Sequence, residues 1–90
     1  MKIQNMTNEK GNTVKNQFII FDGDATYFQS YDSIIIKTTF EDDRRIVYLD
    51  ENYWDYSKTT GRYRNLFLGE TKAETVKKIK SGEYRLTDLN

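Results

Sequence analysis

The chain concentrates its chemistry for recognition between Tyr48 and Glu70, a stretch that holds the only Trp and four of the seven Tyr. Trp54, Tyr56, Arg62 and Arg64 are of the residue types most enriched at binding hot spots, where aromatic rings fill pockets and guanidinium groups pair with carboxylates or backbone oxygens. They are the candidate partner-binding residues. Lys58, Arg62 and Arg64, joined by Lys77, Lys78 and Lys80, also mix positive charge with aromatics, the composition that grips phosphates and stacks bases. A formal net charge of zero counts against that second reading, because affinity for nucleic acid comes mostly from phosphate neutralisation. Each set has a plainer use: Trp54 and Tyr63 as core anchors, the cations as solvation of a helix surface.

Conventional catalysis finds little to work with. The sequence has no His and no Cys. That removes the commonest general base, thiol nucleophiles and thiolate metal sites. The acidic groups Glu41-Asp-Asp43 and Asp50-Glu51 lack the alternating spacing of a calcium loop and read as solvated turns. Asp22-Gly-Asp-Ala-Thr26, after the apolar run Phe18 to Phe21, resembles the opening motif of haloacid-dehalogenase-like phosphotransferases, in which the first carboxylate attacks phosphorus and the second handles the leaving-group proton. The remaining residues do not alternate strand and helix units, so the parallel sheet of that fold is not available. A motif counts only in its structural context. No catalytic residue, metal ligand or cofactor is expected.

Ninety residues make one domain, with about 60% of the unfolded chain's surface buried on folding, too little for a deep cofactor cleft. No run approaches the roughly 18 apolar residues of a membrane span. Met1-Lys-Ile-Gln-Asn-Met has no apolar signal core, which makes a cytoplasmic protein the expectation. Charge is unevenly spread: Asp22 to Asp55 carries nine acidic and three basic residues, Tyr56 to Arg85 eight basic and three acidic. Such a bipolar surface can steer a charged partner.

The elements that must position these residues follow from period and turn chemistry. Residues 1–16 are polar and without sustained period, a flexible lead-in or weak edge strand around Ile3 and Val14. Residues 17–90 form the domain. Gln17 to Gln29 reads as a hairpin about Asp22-Gly23, with Phe18 and Ile20 on one face and Ile19 and Phe21 on the other. Ile34, Ile36, Thr38 and Phe40 alternate along a third strand, and Ile46 to Leu49 is the fourth. Tyr63, Leu66 and Phe67 share one helix face, with Thr59 or Thr60 as cap and Gly69 as stop. Thr71-Lys-Ala-Glu74 is a capping box for a second helix from Lys72 to about Lys80, with Ala73, Val76 and Ile79 turned one way. Glu83 to Thr87 returns as a strand with Tyr84 and Leu86 facing the core. The fold class is α+β: a small antiparallel meander of about four strands plus a C-terminal strand, with two short helices on one face.

The segments Tyr53-Trp-Asp-Tyr-Ser-Lys-Thr-Thr-Gly-Arg-Tyr-Arg-Asn65, Phe67-Leu-Gly69 and Lys80-Ser-Gly-Glu-Tyr84 resemble a group of small uncharacterised proteins of phages and mobile elements of Gram-positive bacteria. The likeness runs from about Asn16 to the end. It carries no activity, ligand or functional residue. It implies a context in which small proteins inhibit or redirect host machinery, including CRISPR effectors and other defences. The expectation is a non-enzymatic accessory protein that binds a host protein or nucleoprotein complex, with nucleic acid as the alternative partner and homodimerisation through an edge strand or the aromatic face also in reach.

Overall fold

In the computed structural model, which describes all 90 residues, the β-branched and aromatic runs of the first half pair into hairpins. The strands are β1 (Lys2–Thr7), β2 (Thr13–Asp22), β3 (Ala25–Ser30), β4 (Ser33–Glu41) and β5 (Arg44–Asp50). Helices α1 (Lys58–Leu68) and α2 (Lys72–Ser81) follow, then β6 (Tyr84–Thr87). One six-stranded sheet results, in the order β1-β2-β3-β4-β5-β6. The first five strands are antiparallel. β6 lies parallel to β5, as a strand reached by a helical crossover can.

The sheet is thus one strand larger than the sequence indicates. Residues 1–16 contribute all of β1 and the start of β2, so Val14 belongs to β2 and pairs as part of a different strand from Ile3. β1 gives the core only Met6, and its other side chains are exposed. Its stability comes from the backbone ladder to β2, which leaves no periodic apolar signature. The β2–β3 turn also sits one residue later than expected: Asp22 pairs with Ala25, leaving Gly23-Asp24 as the tip, with Gly23 at φ 61°.

The core forms between the helices and one sheet face. Ile19, Phe28, Ile36 and Leu49 lie opposite one another across four strands. Phe28 stacks on Phe67 of α1 with centroids 5.8 Å apart. The β3–β4 ladder slips between Phe28 and Gln29, inserting Ile35 as an extra residue. That bulge lets consecutive Ile35 and Ile36 both be buried, where strict alternation would expose one. Burying a side chain of this kind contributes about 1.5–3 kcal/mol. Phe40, expected in line with them, is exposed at the far end of β4.

Both helices begin and end on local rules. Ser57, ahead of both expected caps Thr59 and Thr60, accepts the Thr60 N–H at 3.1 Å and starts α1; Gly69 closes it at φ 70°. Thr60 instead turns inward, its hydroxyl 2.8 Å from that of Ser30 on β3. This link seats α1 on the sheet. The Thr71–Glu74 capping box forms in full, and Gly82 ends α2. Two side chains depart from the expected faces. Leu66 is 52% exposed, because the buried stripe of α1 runs through Thr60, Tyr63, Arg64 and Leu68 instead, and Leu86 points past the helices into solvent.

Candidate functional site

The segment between β5 and α1 is held from three directions. Asp50, fully buried at the end of β5, accepts the backbone N–H groups of Asn52 at 3.0 Å, Tyr53 at 2.9 Å and Leu89 at 2.8 Å. Burial pushes its carboxyl pKa up, but these hydrogen bonds outweigh it and hold the group below the ordinary carboxylate range. The Trp54 N–H donates to the Asp50 carbonyl, completing a tight turn.

Arg64 supplies the second restraint. Its side chain is 1% exposed; Nη1 donates to the Trp54 carbonyl at 2.8 Å and to Asp55 Oδ1 at 2.9 Å, and Nη2 to Asn65 Oδ1 at 3.1 Å. The guanidinium also lies 5.2 Å from the Trp54 ring centroid. Asp55 in turn meets Lys72 Nζ at 2.6 Å, tying the loop to α2. Its burial raises the carboxyl pKa, while Lys72 and Arg64 lower it by more, for a net decrease.

The sequence-selected residues therefore divide. Arg64 is a clamp inside the molecule and cannot contact a partner, which corrects its assignment to both candidate surfaces. Trp54 is half-buried, packed against the main core beneath α1. Tyr56 and Arg62 do reach solvent, as does Lys58. Arg62 is loosely paired with Glu9 at 3.5 Å, both side chains largely exposed. On α2, Lys77 and Lys80 are free on the surface, but Lys78 is drawn in: Nζ contacts Glu70 Oε1 at 2.8 Å and sits 5.3 Å from the Tyr84 ring. The six cations of the nucleic-acid reading thus do not make one patch.

Glu70 is the third organising carboxylate. With a side chain 4% exposed, it receives Thr75 Oγ1 at 2.5 Å, Lys78 and the Tyr84 hydroxyl at 2.7 Å. Burial alone would raise its pKa, yet these donors lower it overall. Burial and the facing carboxylate push the Tyr84 phenol up to about 12. All its oxygens are engaged in holding α2 and β6 together. Asp22 and Asp24, by contrast, stand exposed at a hairpin turn, and Asp42 and Asp43 occupy a turn with φ of 50° and 64°. No group of three or more carboxylates is placed to hold a metal ion.

What these restraints present outward is aromatic. Tyr53 and Tyr56 are 38% and 45% exposed, and their rings meet edge to face with centroids 5.6 Å apart. Tyr31, at the β3–β4 turn on the same end of the sheet, is 41% exposed and takes φ 56°, a left-handed angle unfavourable for a residue with a Cβ. Tyr53 and Tyr31 lay outside the residues picked from sequence. The signal for Tyr31 is its place at the tip of a two-residue turn, where a side chain has nowhere to point except solvent.

Fold and surface together define a small single-sheet α+β protein with an internally braced, tyrosine-bearing loop at one sheet end. The chain belongs to DUF8033, a family of unknown function, which it matches over residues 1–83. No curated protein and no solved structure matches it. No helix is long and apolar enough to cross a membrane.

Proposed function

We propose that this protein acts without catalysis, as a phage-type accessory protein that binds a bacterial host protein in the cytoplasm through the Tyr53–Tyr56 pair and inhibits a defence complex. The observation that supports it is rigidity at an exposed aromatic site. Asp50 and Arg64 fix the loop before any partner arrives, so little ordering entropy is lost on association, and two amphipathic rings supply contact area and hydroxyl groups. Arg62 lies elsewhere on α1, toward Glu9 of the β1–β2 turn, and is free to exchange that weak contact for a partner carboxylate. The direction toward host machinery comes from the resemblance to phage and mobile-element proteins. Nucleic acid held by the cations of α1 and α2 is the less favoured reading, since Arg64 and Lys78 are committed internally.

The test compares affinity capture from nuclease-treated bacterial lysate by the wild-type chain and by a Tyr53→Ser/Tyr56→Ser variant. A stoichiometric host protein retained by the first and lost by the second, at equal melting temperature, is the expected result. Retention by both would remove the tyrosine pair from the interface, and loss of all captured material on nuclease treatment would favour the nucleic-acid reading.

A further inference from the structure

The sheet face opposite the helices carries one uninterrupted row of paired residues. Ile3 lies across from Ile20, Ile20 from Tyr27, Tyr27 from Lys37, Lys37 from Tyr48, and Tyr48 from Arg85. Their sequence neighbours Phe28, Ile36, Leu49 and Tyr84 are core residues, so the row points away from the helices. From β3 to β6 it alternates ring, cation, ring, cation. Neighbouring strands are about 4.8 Å apart, which sets Tyr27 and Tyr48 about 10 Å from each other with Lys37 between them. The Arg85 guanidinium lies 5.9 Å from the Tyr48 ring centroid. Beside Lys37 and Tyr48 a shallow groove of about 430 Å³ continues past Thr39 and Thr87 to Leu89.

We propose that this row is a binding platform for single-stranded nucleic acid, with Tyr27 and Tyr48 stacking bases and Lys37 and Arg85 neutralising the phosphates that link them. Planar rings interleaved with positive charges complement a polyanion of planar bases. Bases within one strand of a duplex repeat every 3.4 Å or so, whereas rings about 10 Å apart suit splayed, unstacked bases. Ile3, Phe18 and Ile20 make the β1–β2 end of this face apolar, whereas on β4 and β5 Ile34 and Ile46 stand among Lys37, Thr39 and Tyr48, so polar and charged side chains break up the apolar surface that a protein partner would need. Glu41 and Asp88 rim the groove and oppose a polyanion. This surface lies on a different part of the molecule from Tyr53 and Tyr56, and the proposal does not depend on the protein-binding reading.

The experiment is fluorescence anisotropy of the intact chain with labelled oligo(dT) and oligo(U), across a salt series, with a duplex of equal length as competitor. Single strands bind and the duplex competes poorly. Tyr27→Ala or Tyr48→Ala weakens binding by about tenfold or more, while Tyr27→Phe and Tyr48→Phe retain it. Lys37→Gln and Arg85→Gln each reduce the salt slope by about 0.7, and Glu41→Gln with Asp88→Asn tightens binding. If the alanine variants melt early, cross-linking of a 4-thiouridine strand to Tyr27 or Tyr48 reads the same contact in the wild-type chain. Absence of binding at low salt, equal affinity for duplex, or loss of binding in Lys77→Gln/Lys80→Gln but not in Lys37→Gln/Arg85→Gln would overturn the proposal.

Discussion

Replacing Arg64 by alanine separates a structural clamp from a contact residue. The guanidinium makes three hydrogen bonds, two of them from Nη1 to the Trp54 carbonyl and Asp55, and is 1% exposed. Removing one partner of a buried ion pair costs about 3–5 kcal/mol. Asp55 keeps Lys72 and is 30% exposed, so its stranded charge is partly solvated and the lower end, about 3 kcal/mol, is the expected loss. A chain of this length has a total stability of about 5–13 kcal/mol, so the variant stays folded but marginal. Urea unfolding followed by fluorescence of the sole Trp and by circular dichroism measures it; at a slope of about 1.5 kcal/mol per molar, the midpoint falls by about 2 M. Arg64→Lys falls between, because an ammonium cannot reproduce the planar fork. Asp55→Asn should couple to Arg64→Ala in a double-mutant cycle. The reasoning fails if Arg64→Ala shifts stability by less than about 0.5 kcal/mol, the range of ordinary surface substitutions, while abolishing partner binding.

The same carboxylates set the acid limit. Asp50, Asp55 and Glu70 all titrate below their ordinary values in the fold, so the stability they contribute is complete above the usual carboxylate range and is lost as pH falls through their lowered folded values; Asp55→Asn should flatten this loss in acid unfolding curves. At the other extreme the Tyr84 phenol, raised from 10.0 to about 12, stabilises the fold below pH 10 and ceases to do so as pH rises through about 12; Glu70→Gln should bring its ultraviolet titration down toward 10. Tyr31→Asn relieves a left-handed angle that costs about 1 kcal/mol or somewhat more, so its melting temperature should hold or rise, and a clear fall would show that the ring packs. Ser57→Ala should destabilise by about 1 kcal/mol and Thr59→Ala by almost nothing, read by thermal denaturation.

What was legible in the sequence was whatever a local rule writes down. The Thr71–Glu74 box and the stop at Gly69 each need only a few neighbouring residues. What was not legible depends on contacts distant in sequence. β1 is written in Lys, Gln, Asn and Thr, and only its pairing with β2 makes it a strand. The inserted Ile35 is invisible to a period-two reading. Arg64 follows Tyr63 on a helix and carries a charge, so sequence places it on the surface; its burial requires Asp55 and the Trp54 carbonyl to arrive from the preceding loop. Gly61, a turn earlier, lies beside the Arg64 guanidinium, but a Cβ there would sit 3.5 Å from Nη2, an ordinary contact, so it gives no local signal for the burial.

The parallel pairing of β6 has a consequence for the order in which the chain assembles. The contacts of β1 to β5 join strands adjacent in sequence through short turns, so each hairpin closes a small loop. Val47 and Tyr84, by contrast, meet only after both helices have been placed between them. Closing that long loop costs more chain entropy and is rewarded late, which makes the meander the nucleus and the β5–β6 seam the last part to form. Conservative substitutions in the seam should therefore speed unfolding and leave the folding rate almost unchanged, whereas substitutions at Phe28 or Ile36 should slow folding.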